Sequence, residues 1–149
     1  MLVILQTLFY QFMYLSKLFI LLSFSFVLFS CNDHKNYLPE DNALGAGREF
    51  IDACLKGDFD KASFYMLPDT ENKQLLNKVM LQFQNATDLK KKQFSESSII
   101  IIDVSYVSQK EVVINYKYSF DGYARKIKVF AQPSGNWLVD FKYASNGNL

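Results

Sequence analysis

The sequence predicts an α+β domain, N-terminal helices packed on a curved four-stranded antiparallel sheet, behind a cleaved leader. Three observations predict it. Apolar residues recur at helical spacing between Ala43 and Phe83. From Ser97 onward they recur at every second residue, the period of a strand. Turn signals, Asp121-Gly122 and Pro133-Ser134-Gly135, then divide the second half into strands.

The leader comes first. Residues 18–29 are apolar apart from Ser23 and Ser25, and Lys17 precedes them. That is the length and charge order of a secretory signal, and too short to span a bilayer alone. Met13 would open a compact signal, so translation is expected to start there or at Met1. The run closes on Leu28-Phe29-Ser30-Cys31. This resembles the lipobox of bacterial lipoproteins, with Leu28 as the apolar position, Ser30 as the small residue before the cut and Cys31 as the acceptor. Phe29 departs from the usual small residue. The resemblance implies cleavage after Ser30 and a diacylglycerol on Cys31. Several acyl chains hold a small domain stably on a membrane. Asn32 is not the aspartate of the inner-membrane retention signal, so the outer membrane is favoured. The competing reading is an uncleaved anchor, because residues 2–29 are long enough to span.

Cutting before Cys31 leaves about 119 residues with fifteen basic and fifteen acidic side chains. That length suits one domain, and zero net charge without a basic stripe argues against nucleic acid. Lipidation of Cys31 leaves Cys54 unpaired among apolar neighbours, which excludes a disulfide framework. Residues 31–42 read as lipidated cysteine and polar tether. His34, the lone histidine, lies in that tether, which removes histidine-based acid–base chemistry and most zinc sites. No catalytic residue, metal site or cofactor is expected.

The domain is expected over residues 43–144, with a tail at 145–149. Ala43 to Lys56 forms the first helix, Gly57 stops it and Asp58 caps the next, which runs from Phe59 to Met66 before Pro68. Asp69 or Thr70 opens a third helix with Leu75, Leu76, Val79, Met80 and Phe83 on one stripe. Lys90-Lys91-Lys92 reads as a solvated end and loop, or as a contact to lipid headgroups.

In the first strand Ile100, Ile102, Val104 and Tyr106 are expected on one face, opposite Ile99, Ile101 and Asp103. In the second, Val112, Ile114, Tyr116, Tyr118 and Phe120 share the apolar face. A two-residue turn at Asp121-Gly122 pairs Phe120 with Tyr123, Tyr118 with Arg125, Tyr116 with Ile127, and Lys117 with Lys126. A three-residue loop at 133–135, with Gly135 left-handed, pairs Val139 with Val129, Phe141 with Ile127 and Tyr143 with Arg125. Arg125 then sits on an apolar face between tyrosines. A guanidinium there is either stacked with its head in water or the floor of a pocket for an anionic or carbonyl group. The candidate pocket is Arg125 with Tyr118, Tyr143, Tyr116 and Tyr106.

Residues 50–62, Phe50-Ile51-Asp52-Ala53-Cys54-Leu55-Lys56-Gly57-Asp58-Phe59-Asp60-Lys61-Ala62, and Gly135-Asn136-Trp137-Leu138-Val139 resemble the nuclear-transport-factor-2-like (cystatin-like) superfamily. More closely, they resemble small bacterial lipoproteins carrying a domain of unknown function within it. The resemblance implies a cone with a cavity between sheet and helix, a fold that hosts enzymes and binding modules alike. The expected function is a non-enzymatic, membrane-anchored module at the cell envelope for a small ligand or an envelope protein. The alternatives are a partner-dependent subunit or homodimer using the outer sheet face, where Val113 and Phe130 lie, and an isomerase- or dehydratase-like enzyme. Asp103 and Asp140 fall on the wrong face to serve as its base.

Overall fold

Asn42 turns the chain into the first helix: its side-chain oxygen accepts from the Gly45 amide at 2.7 Å. The computed structural model describes residues 36–145. Met13, Lys17, Ser30, Cys31, Asn32 and His34 lie outside the described residues. Helix α1 spans Ala43–Lys56 and ends on Gly57 at φ 73°, a left-handed cap, where the Asp58 amide donates back to the Ala53 carbonyl at 2.9 Å. Asp58 caps α2, Phe59–Phe64, and Asp69 caps α3, Thr70–Gln84. A further helix, α4, covers Asp88–Ser95 and replaces the expected loop at Lys90-Lys91-Lys92. Its cap is Thr87, whose hydroxyl accepts from the Lys90 amide at 3.3 Å, and Asp88 sits favourably in its first turn.

Strands β1 (Ile99–Ser108), β2 (Glu111–Tyr118), β3 (Ala124–Ala131) and β4 (Trp137–Asp140) form one antiparallel sheet in sequence order. The helices precede the sheet, as the sequence predicts, and α1 lies against all four strands. Its buried Ala46, Phe50, Ile51 and Ala53 meet Val112, Ile114, Tyr116, Ile127, Val129 and Val139 in one apolar core. Gly47 makes the close approach possible: a Cβ there would lie 2.5 Å from Ile114 Cδ1 and 3.2 Å from Ile127 Cδ1.

The faces of β1, the β2–β3 register and the end of β4 differ from the sequence expectation. In β1 a bulge falls between Ile101 and Asp103, so Ile101 pairs with Tyr116 while Val104 pairs with Ile114. The extra residue inverts the alternation. Ile99, Ile101 and Val104 therefore pack on the core, while Ile100 and Ile102 are exposed. Four consecutive isoleucines hide that switch from a periodicity reading.

The β2–β3 hairpin is slipped by two residues: Tyr116 faces Arg125, Ile114 faces Ile127, and Lys117 faces Ala124. An even slip keeps every side chain on its expected face. It also removes the expected Lys117–Lys126 pair, since Lys126 lies opposite Asn115. The connection is a five-residue loop, residues 119–123, because Asp121 accepts from the Tyr123 amide at 3.1 Å and Phe120 turns inward onto Phe94.

The β3–β4 loop has the expected form, with Gly135 at φ 90° and Val139 opposite Val129. The chain then leaves the sheet after Asp140 and winds into a short helix, α5, Lys142–Ser145. Phe141 and Tyr143 therefore do not pair with β3. The cause is Asn72, fully buried at the start of α3. It accepts from the Lys142 amide at 2.7 Å and donates to Asp69 and Asp140 at 2.6 and 3.2 Å.

The expected tether is held down from Tyr37. The Tyr37 hydroxyl donates to Asp58 at 3.0 Å, Tyr65 donates to the Leu38 carbonyl at 2.6 Å, and the Trp137 indole donates to the Asp41 carbonyl at 3.1 Å. Residues 65–67 complete the cover of β4: the Val139 amide donates to Tyr65 at 2.8 Å and the Leu67 amide to Val139 at 2.9 Å. On the other side of the sheet β1 is the terminal strand among the described residues, with Ile100, Ile102 and Val107 exposed. No described helix is long and apolar enough to cross a membrane.

Candidate functional site

Helices α3 and α4 do not seal the core as α1 does. Between them and the sheet lie two adjoining cavities of about 550 and 460 Å³. Both are lined by Cys54, Val79, Gln82, Tyr118 and Arg125, which makes them two arms of one cleft. Their size falls in the range of small-molecule sites. One wall is a run of rings. Phe83 stacks on Phe94 at 6.2 Å, Phe94 meets Phe120 at 5.4 Å, Phe120 stacks on Tyr118 at 5.5 Å, and Tyr118 meets Tyr116 at 5.6 Å.

Arg125 divides the two arms. Its guanidinium lies 4.3 Å from the centre of the Tyr118 ring, within cation–π range. Asp121, presented by the five-residue loop, grips it in two places: Nη1 donates to Oδ1 at 3.0 Å and Nη2 donates to Oδ2 at 2.6 Å. Nη1 also donates to the Tyr123 carbonyl at 2.9 Å. The hydrogen bonds from Arg125 hold the Asp121 carboxyl below the usual carboxylate range, against the opposing effect of burial.

The neighbouring groups are kept neutral. Burial pushes the Cys54 thiol up to about 12. Burial also raises the Tyr116 hydroxyl, and the neighbouring Tyr118 adds to the effect. Asp121 is the acidic side chain of the lining and is committed to Arg125. Lys78 and Lys90 stand at the rim, and Lys90 Nζ lies 5.2 Å from the Phe94 ring centre. Among the described residues no three His, Cys, Asp or Glu side chains converge as a metal site would require.

Of the pocket expected from sequence, the structure brings together Arg125, Tyr118 and Tyr116. Tyr106 lies elsewhere: it is opposite Val112 on the terminal strand and 76% exposed. Tyr143 lies elsewhere too, on α5, with Lys128 Nζ 4.6 Å from its ring centre. Cys54, Phe83, Lys90 and Asp121, which pattern reading assigns to core, turn or loop, complete the cleft together with Phe94. A sequence signal existed for Asp121, four residues before Arg125 across a loop. Thr87-Asp88 likewise signalled the helix that carries Lys90 and Phe94.

Comparison with family models, curated proteins and solved structures found no match. The chemistry of the cleft must therefore be read from its own residues. Asp103 is exposed on β1 and accepts from Ser105, and Asp140 is engaged with Asn72 and Lys142. Neither lines the cleft. The arrangement offers shape, aromatic surface and a fixed guanidinium, which are the means of holding a molecule.

Proposed function

We propose that the chain is a membrane-anchored lipoprotein of the cell envelope whose α+β domain is a non-enzymatic small-ligand-binding module. In this reading the leader is cut after Ser30, Cys31 carries the acyl chains, and the protein resides at the outer membrane. The domain is a nuclear-transport-factor-2-like cone with its ligand between sheet and helices. The observation that carries the binding role is the cleft itself. It is apolar and ring-lined, with one arginine fixed in its middle. Among the described residues the acid in the lining is Asp121, committed to Arg125, which supports binding over an isomerase- or dehydratase-like reaction.

Intact-mass analysis of detergent-extracted protein tests both halves. The expected species begins at Cys31 and carries a diacylglyceryl mass, with a small molecule retained under gentle ionisation. A full-length chain with unmodified Cys31 would refute the anchor. Thiol titration in urea gives an independent count: one reactive thiol, Cys54, if Cys31 is acylated, and two if it is free.

A second reading, a partner-dependent subunit or homodimer docking through the sheet, is favoured by β1. That strand carries Ile100, Ile102 and Val107 exposed at the sheet's end. Sedimentation of the extracted protein separates the two readings by mass.

A further inference from the structure

The hydrogen bonds of Arg125 identify the ligand more closely, given that the cleft is a binding site. A guanidinium has five N–H donors arranged as forks that match carboxylate geometry. Asp121 occupies the end fork, one hydrogen each from Nη1 and Nη2, and the Tyr123 carbonyl takes the second Nη1 hydrogen. Nε–H and the second Nη2–H remain. They form the side fork of the same plane, and no acceptor among the described residues takes them. Arg125 is a lining residue of both arms, which brings its side chain to the cleft wall.

The charge of the lining agrees. Asp121 balances Arg125, which leaves Lys78 and Lys90 as uncompensated cations of the lining. Apart from Gln82 the rest is apolar or aromatic, with Leu55, Val79, Phe83 and Phe94 among the lining residues. A small hydrophilic anion would leave those surfaces without a partner, and a neutral hydrocarbon would leave the fork without one.

We propose that the cleft binds an amphipathic carboxylate. Its carboxylate takes the Nε/Nη2 fork of Arg125 and its single apolar chain lies beneath α3, past Cys54 and Val79. Lys78 and Lys90 draw the anion in without fixing its geometry.

The test uses membranes containing the full chain and three photoreactive probes bearing a diazirine on a twelve-carbon chain: dodecanoate, dodecanol and dodecyltrimethylammonium. Cross-linked peptides are mapped by mass spectrometry. The expected result is labelling of the peptides carrying Cys54 and Val79 by the dodecanoate probe, about tenfold above the alcohol, with the cation at background. Arg125→Lys keeps a charge and loses the fork, and is expected to cut dodecanoate labelling about fivefold while sparing the alcohol. Lys78→Gln with Lys90→Gln alters exposed side chains alone, and is expected to cut it two- to threefold. Val79→Trp fills both arms and is expected to abolish labelling by every probe. Equal labelling by dodecanoate and dodecanol, or a preference for the cation, overturns the carboxylate while leaving a binding cleft. Labelling by no probe above the Val79→Trp level overturns the binding reading itself.

Discussion

Helices α1 and α3 are nearly the same length and lie on the same side of one sheet, yet they do different work. Half of α1 is buried, and its Gly47, Phe50 and Ile51 reach the central strands. Helix α3 buries Asn72 and Leu76 near its start; beyond them Val79 and Phe83 are half-exposed along the cleft, and α4 buries no residue. Helix α3 is pinned at one end by the Asn72 network and farther along by Phe83, packed on the bare backbone of Gly57. The contrast teaches that α1 completes the core, whereas α3 and α4 stand off from it and leave room for a guest.

The largest effect that tests this contrast is chemical. Cys54 sits where α1 meets the cleft, its thiol raised to about 12 by burial. At pH 8 such a thiol is ionised about once in ten thousand molecules, against roughly a quarter for an ordinary thiol. Alkylation by iodoacetamide is expected to be on the order of a thousandfold slower in the native protein than in urea. Comparable rates would mean that α3 does not cover this residue.

Stability comes next. Phe50→Ala is expected to cost about 3–5 kcal/mol in urea denaturation, and Phe83→Ala about half of that, because its ring is partly solvated. Equal losses would erase the distinction between the two helices. Gly47→Val drives a side chain into Ile114 and Ile127 and is expected to cost about 2 kcal/mol.

The Arg125–Asp121 pair gives a smaller, pH-dependent signal. The folded carboxyl is depressed, so its contribution is whole above the ordinary carboxylate pKa of about 4 and is lost as pH falls through the folded value. Asp121→Asn is expected to cost about 1 kcal/mol at pH 7 and progressively less in acid, read as converging thermal midpoints. A penalty constant with pH would assign it to shape. Leu89→Ala, at an 80% exposed position on α4, is expected to change stability by less than about 0.5 kcal/mol. A larger loss would show that α4 is packed on something.

Local chemistry made much of the fold readable. Gly57, Asp58 and Asp69 mark helix ends that the backbone adopts. Gly135 marks the last hairpin. The errors arise where distant groups decide. The bulge in β1 is invisible in a run of isoleucines. The two-residue slip at 119–123 follows from Asp121 binding Arg125 and from Phe120 meeting Phe94. The turn into α5 depends on Asn72, seventy residues away in sequence. Arg125 among tyrosines was legible because an even slip preserves faces. Its partner Asp121 was not, because that residue belonged to a turn signal. Asn115 lies opposite Lys126, and its buried side-chain oxygen has no hydrogen-bond partner among the described residues.

The two borders of the sheet are unequal. One is clothed by the chain's own backbone at residues 40 and 65–67, and the other ends on β1. Among the described residues, growth by strand addition therefore has a single starting point. If two copies join β1 to β1, each spends its open border on the other, and assembly halts at a pair instead of running on as a fibre.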